Sequence, residues 1–463
     1  EYGVMEKCPQ AKIISYNARN SEVCASAARI STTQGDAVDI FEKACDNPKN
    51  QILIQKVLQS GHRSIIEHAA FTIAFRNVSA FVEQYLIECR LASFTVKSRR
   101  YVDFSQLGYY IPPDLSENAR IQYCRYMDTL FSAYGNLDAG IPKEDARFLL
   151  PYSFNSNFYC TVNARELAHI VTSIRYGRGQ GIPELQVLAA QITHQIEDIF
   201  PCLAPELERT PLSDDSAAIP DTFEIHSTPS FIEEQEIGGV SLLNAPTDPL
   251  GILRAAYAAN CPDPASPFCL ETLLASERPR ELEQLSYTFL IPDITLSGIT
   301  HIVRHRMQSI IIPPLQRVDH SRYIVPASIK NDPDMWELYR STLESANGML
   351  QQAAQDPELR RYGYYFAVSG NVLDIMTTLN ARQLKLFMQL RTCKRAQWEI
   401  RMVATNMLKL LRKHFPDLYN HFGPSCYTSG HCPEGRLSCG NAKAVIAEFE
   451  DLNRNDSPNY PIG

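Results

Sequence analysis

Tryptophan occurs only twice in these 463 residues, and no apolar stretch approaches the roughly 20 residues that would cross a bilayer. The run Ser309-Ile310-Ile311-Ile312-Pro313-Pro314 is short and stopped by its own prolines, so no membrane partner is expected. A basic excess is missing too: 44 Lys and Arg stand against 52 Asp and Glu, a formal charge of −8. That balance argues against a nucleic-acid-binding surface over the whole molecule and leaves room for a local basic pocket. The thirteen cysteines lack the spacing of a disulfide scaffold. Cys426, His431, Cys432 and Cys439 include no C-x2-C pair, so free thiols in a reducing cytoplasm are expected, with no metal. The chain starts at Glu1 rather than Met, as a trimmed start would, and no signal peptide is legible.

What is present is an ordinary globular composition, 44% hydrophobic and 21% charged, in a chain too long for a single core. The organisation comes from an internal echo. Glu67-His68-Ala69-Ala70-Phe71-Thr72 returns as Glu283-Gln284-Leu285-Ser286-Tyr287-Thr288, and Arg90 returns as Arg306, at an offset of 216 residues. Thr161-Val162-Asn163-Ala164-Arg165 returns as Thr378-Leu379-Asn380-Ala381-Arg382 at an offset of 217. Two related repeats therefore lie in tandem. We place the first at 1–210, a linker rich in Pro, Ser, Asp and Glu at 211–239, the second repeat at 240–422, and a cysteine-containing tail at 423–463.

Helices are expected over Ser21–Ile30, Gln51–Leu58, Ala80 into Arg90 and Asp114–Ala139, with a further one ending at Asp145–Pro151. Phe71–Val78 and Phe158–Val162 have the aromatic and β-branched look of strands. Asn163 suits the N-cap of a following helix. Beyond Asn380 one long regular helix is expected to run to Leu411, where the first repeat is broken by Gly177-Arg178-Gly179-Gln180-Gly181.

Chemistry concentrates in two places. Arg304-His305-Arg306 sets two guanidiniums and an imidazole behind an apolar lead-in, and such a cluster suits an anionic, aromatic ligand. Ser98-Arg99-Arg100-Tyr101 presents a hydroxyl and two guanidiniums that would serve a phosphate.

At these residues the sequence resembles the flavin-dependent thymidylate synthases. Their hallmark is Arg-His-Arg, seven arbitrary residues, then Ser-x-Arg-Tyr, with a Gly-His…Glu-His segment upstream and an Asn-Ala-Arg…Arg…Ala-Gln-Trp-Glu-Ile stretch downstream. Neither repeat carries the full pattern. The first has Glu88-Cys89-Arg90 in place of Arg-His-Arg but keeps Ser98, Arg100 and Tyr101. The second has Arg304-His305-Arg306 but places Pro314 and Gln316 at the Ser and Arg positions. Likewise Arg147, sixteen before Asn163, faces Tyr364 sixteen before Asn380. Arg391, eleven after Asn380, lies about 20° off the same helical face, and its counterpart is Ile174. The gaps are complementary.

The resemblance implies an α+β fold of two units, each a small twisted sheet flanked by long helices. It further implies reductive methylation of dUMP to dTMP with methylenetetrahydrofolate as carbon donor, FAD as hydride carrier and NADPH as reductant. In the family each site is shared between subunits of a homotetramer, so a homodimer with composite sites is the expectation here. Arg391 would be catalytic, stabilising the uracil anion. Ser98, Arg99, Arg100, Arg147 and Arg304 would hold the nucleotide, and His301 would shape its base or sugar pocket. Ser31, His68, Arg304, Arg306, Asn380 and Arg382 would contact flavin, with His305 between flavin and nucleotide and Asn163, Arg165 and His169 as a second flavin set. Two alternatives stay open: the same chemistry on another pyrimidine nucleotide, and a divergent flavin-binding or structural protein without turnover.

Overall fold

The computed structural model describes residues 8–209, 224–261, 263 and 266–453. These fall into two compact units: the residues up to 227 together with 337–368, and 228–336 together with those from 369 onward.

The first unit is built on an antiparallel sheet of β1 (Gln10–Tyr16), β2 (Ala70–Ser79), β3 (Ser93–Val96) and β4 (Asn155–Asn163), in the order β1-β2-β4-β3. Strand β2 alternates, burying Phe71, Ile73 and Phe75, as a half-covered sheet requires. Its pairing with β4 slips between Phe75 and Val78. There Asn77 takes the left-handed conformation (φ 53°), which asparagine tolerates well. Asn163 ends β4 and caps the helix Ala164–Tyr176 by accepting from Glu166 N at 2.9 Å. The helix from Ala80 stops at Ile87, short of Arg90. The segment 337–368 completes this unit: Tyr126 Oη donates to the Phe366 carbonyl at 2.7 Å, and Ser116 N to Glu358 at 2.7 Å.

The second unit has β5 (Ser230–Glu233) paired in parallel with β9 (Arg322–Val325). Its main sheet comprises β6 (Ser241–Asn244), β7 (Ser286–Thr295), β8 (Gln308–Ile311) and β10 (Val372–Asn380), in the order β6-β7-β10-β8. That is the topology of the first sheet, and Asp293 (φ 49°) stands where Asn77 stood. Of the stretch 211–239, residues 211–223 lie outside the described residues, while Ser230–Glu233 form β5.

One expectation needs correction. The helix beyond Asn380 is two helices, Ala381–Arg391 and Trp398–His414. Ala396 N turns back onto the Cys393 carbonyl at 2.8 Å, and Gln397 caps the second helix by accepting from Ile400 N at 3.1 Å. Arg401 Nη1 then donates to the Lys394 and Ala396 carbonyls at 3.2 and 3.4 Å. The break is thus supported by groups that an uninterrupted apolar periodicity does not reveal. Near the end of the chain, buried Arg412 donates to the carbonyls of Tyr419, Phe422 and Phe449, which ties the last helix, Ala442–Glu450, to the body of the unit. No helix among the described residues is long and apolar enough to cross a membrane.

Candidate functional site

In the second unit the helix Leu296–Ile302 is capped by Thr295, whose Oγ1 accepts from Gly298 N at 2.9 Å. Arg304-His305-Arg306 fills the turn between this helix and β8. Two bonds onto the Ile302 carbonyl hold the turn, from His305 N at 3.0 Å and from Gln308 Nε2 at 2.7 Å. Thr377 Oγ1 in turn donates to Gln308 Oε1 at 2.6 Å. The turn exposes Arg304 and Arg306 and drives His305 inward to 5% exposure.

The helix Ala381–Arg391 meets that imidazole with positions 383, 387 and 391, which share a face because they are four apart. Gln383 Nε2 lies 3.2 Å from His305 Nδ1. Phe387 packs edge-on with ring centroids 4.8 Å apart. Arg391 Nε donates to His305 Nε2 at 2.8 Å, and its Nη2 reaches the His301 carbonyl at 3.3 Å. Burial, then the charges of Arg391 and Arg304, push the His305 imidazole down to about 3, so the ring is neutral at physiological pH. His301, His305 and Arg391 are thus gathered at one place, with Arg304 beside them. Asn380 caps the helix through Gln383 N at 2.8 Å, and Arg382 is paired with Glu283.

In the first unit a second group forms around Glu144. Arg100 Nε donates to the Glu144 carboxylate at 2.7 Å, while buried Arg147 donates through Nε to the Glu144 carbonyl at 2.9 Å. Ser98 Oγ accepts from Arg100 N at 3.3 Å. Ser98, Arg100 and Arg147 therefore lie together, and the carboxylate on Arg100 marks an anion position there. Arg99 turns the other way: it is 5% exposed, bonded through Nη2 to Glu83 at 2.6 Å and stacked 4.7 Å over Phe154. Its charge is already neutralised in the core.

The remaining candidates make other contacts. Arg165 pairs with Glu67, next to exposed His68, and His169 is exposed one helical turn further on. Ser31 sits at the exposed C-terminal end of the helix Asn20–Ile30. Where the second unit has His305, the first has Cys89, whose thiol burial raises well above its ordinary value. Arg175 is engaged by Thr193 Oγ1 at 3.0 Å and by Glu208.

Glu144, Gln383 and Phe387 went unmarked in the sequence. Counting back in fours along the helical face from Arg391 would have found the last two, and the three-residue spacing to Arg147 would have found Glu144. Glu83, beside Gln84 in a largely apolar helix, gave no such signal.

The family described as thymidylate synthase complementing protein matches residues 12–202 and again 258–417. A flavin-dependent thymidylate synthase of Clostridium tetani is 32% identical over 192 residues, covering 37% of this chain and 76% of that protein. One of Geobacter sulfurreducens is 30% identical over 188 residues, covering 40% and 81%. Among solved structures, a UMP/dUMP methylase PolB from Streptomyces cacaoi, bound with 5-Br dUMP, is 25% identical with a TM-score of 0.37, covering 44% of this chain and 97% of its own.

Proposed function

This chain belongs to the family of flavin-dependent thymidylate synthases, and we propose that it methylates dUMP with methylenetetrahydrofolate, using FAD reduced by NADPH, at a site drawing on both repeats. The supporting observation is that each compact unit gathers a different half of the required groups: Ser98, Arg100 and Arg147 in one, His301, His305 and Arg391 in the other.

In this reading Arg100, Arg147 and Ser98 bind the nucleotide phosphate, and Glu144 yields Arg100 to it. Arg391 stabilises negative charge on the uracil as N3 loses its proton, which raises electron density at C5. Neutral His305 holds Arg391 and adds no competing charge, and Arg304 supplies a further cation for the nucleotide. No side-chain nucleophile is used. The donor set fits the diphosphate of a flavin dinucleotide: exposed Arg304 and Arg306 flank the buried neutral imidazole of His305 and offer the diphosphate two cations. Arg306, Arg382 and Asn380 are the residues assigned to hold it, and when bound it supplies hydride to the transferred carbon. A homodimer with one complete site per chain is the assembly this reading carries, the equivalent of the family's homotetramer.

The test is tritium release from [5-³H]dUMP with methylenetetrahydrofolate, FAD and NADPH, alongside a visible spectrum. Flavin bands with release are expected, together with about one dUMP bound per chain rather than two by equilibrium dialysis. Arg147→Ala and Arg391→Ala should each lower release at least about a hundredfold although they belong to different units. Loss in only one of them would overturn the shared site. Flavin bands with release from UMP or dCMP instead would overturn dUMP as acceptor.

A further inference from the structure

The contact between Arg391 and His305 constrains more than position. Arginine Nε is always a donor, so at 2.8 Å His305 Nε2 can only be the acceptor. A ring protonated on both nitrogens would set N–H against N–H and cation against cation. The neutral ring therefore carries its single proton on Nδ1, and that N–H requires an acceptor in a site only 5% exposed.

The group at Nδ1 is the side-chain amide of Gln383, whose Nε2 lies 3.2 Å away; against a protonated Nδ1 that nitrogen would set donor on donor. An amide can present nitrogen or oxygen to the same spot by a half-turn, and of the two only the oxygen accepts. We propose that Gln383 is a positioning residue: its amide oxygen accepts from Nδ1–H of His305, locks that tautomer, and so reserves the Nε2 lone pair for Arg391. With Nε held by His305 and Nη2 by the His301 carbonyl, the planar guanidinium of Arg391 is fixed at two points. The functional half of this inference rests on the role given to Arg391 above; the tautomer does not.

The first repeat is a natural comparison. Its counterparts of Gln383, His305 and Arg391 are Glu166, Cys89 and Ile174, and there Glu166 adds to the effect of burial in keeping the Cys89 thiol protonated. No lone pair needs aiming, because there is no guanidinium to aim. A carboxylate in place of Gln383 would instead draw a second proton onto His305 and turn the imidazole against Arg391.

The experiment is long-range ¹H–¹⁵N correlation on histidine-labelled protein, with His305 assigned from the His305→Gln spectrum. The wild type should show a neutral Nδ1–H ring from about pH 5 to 8. Gln383→Leu, at a half-buried position where a similar shape is accommodated, should release the lock. With no acceptor left for Nδ1–H, the ring can turn away from Arg391 and take either tautomer, so a mixture is expected, with kcat down about tenfold and KM for dUMP changed less than about twofold. Gln383→Glu keeps an acceptor and should retain Nδ1–H while His305 becomes protonated at the acid end of the range. An Nε2–H ring in the wild type, or an unchanged tautomer in Gln383→Leu, would overturn the proposal. Nδ1–H without tritium release would instead overturn the functional reading and leave the lock standing.

Discussion

The two sheets were built from one plan and have kept different parts of it. Ser79 N and Oγ both donate to Glu184, at 2.7 and 2.6 Å, and Thr295 N and Oγ1 both donate to Glu399, at 2.7 and 2.5 Å. Thr72 meets Thr161 at 3.0 Å as Thr288 meets Thr378 at 2.8 Å. The left-handed residues also match, Asn77 N donating to Asn157 at 3.1 Å and Asp293 N to Asp374 at 3.0 Å. Even Glu67 with Arg165 is repeated as Glu283 with Arg382. What differs is the chemistry set on that frame. Groups that satisfy backbone at strand ends and bulges recur because each strand needs them for its own geometry. Groups that bind a ligand can be divided, because one complete set suffices wherever its members come from.

The sharpest way to break this comparison is at the guanidiniums. Arg391→Ala should lower turnover about 10²–10³-fold, the range for a group stabilising developing charge, and leave the flavin spectrum intact. Arg175→Ala, in the first repeat, removes a half-buried cation held by Thr193 and Glu208 and should leave turnover within about twofold, because its loss acts on stability rather than on the proposed site. Comparable losses from the two would mean that the repeats have not specialised.

Next in size is a core difference. Glu83 and Arg99 form a buried pair, bonded also to Ser156 through Glu83, whereas the positions 216 residues later are buried Ile299 and Leu315. Glu83→Ala or Arg99→Ala leaves a buried charge alone and should cost about 3–5 kcal/mol in denaturant unfolding. Glu83→Ile with Arg99→Leu copies the second repeat and should recover most of that loss. A double variant as unstable as either single one would show that the two cores are not interchangeable.

Acid titration should separate the repeats by sign. Burial pushes the Glu184 carboxyl up from 4.5 to about 7. Between those values the folded chain holds a proton that the unfolded chain has lost, so stability rises as pH falls through that window. His305 is the opposite: neutral when folded down to about 3 and protonated when unfolded below 6.5, it makes stability fall with pH from 6.5 downward. Each slope is at most about 1.4 kcal/mol per pH unit, and the two oppose one another where their windows overlap. Glu184→Gln should therefore expose a steeper loss in acid, and His305→Gln should remove it. Parallel curves for wild type and both variants would refute the assignment.

Much of this was legible beforehand because it rests on period and spacing. The echo from Glu67 to Glu283 gave the duplication, aromatic and β-branched residues gave β2, and Asn163 and Asn380 announced their helices. The division of Ser98, Arg100 and Arg147 from His305 and Arg391 could be read as missing motif positions. What could not be read depends on where a side chain turns. Arg99 looks like its neighbour Arg100 in sequence, yet the turn after β3 sends it inward to Glu83. Residues 392–397 carry no proline or glycine, so their break rests on the side chains of Gln397 and Arg401. The short strand β3 is too brief for an alternation to stand out.

The smallest effect sharpens the comparison most economically. Asn163 and Asn380 stand at the same point of the two sheets, and each accepts from the backbone N–H three residues on, at 2.9 and 2.8 Å. If the cap is their shared duty, Asn163→Ala and Asn380→Ala should each cost about 1 kcal/mol in thermal unfolding. Asn→Asp should cost almost nothing at either position, since aspartate caps as well. Flavin content then distinguishes ligand from cap. Asn380→Asp places a carboxylate beside Arg382 and keeps the helix intact, so a fall in bound flavin there, with none in Asn163→Asp, would assign the amide of Asn380 to the cofactor and leave Asn163 to the fold. Equal flavin content in both would reduce each asparagine to its cap and move the flavin-holding role onto Arg304 and Arg306.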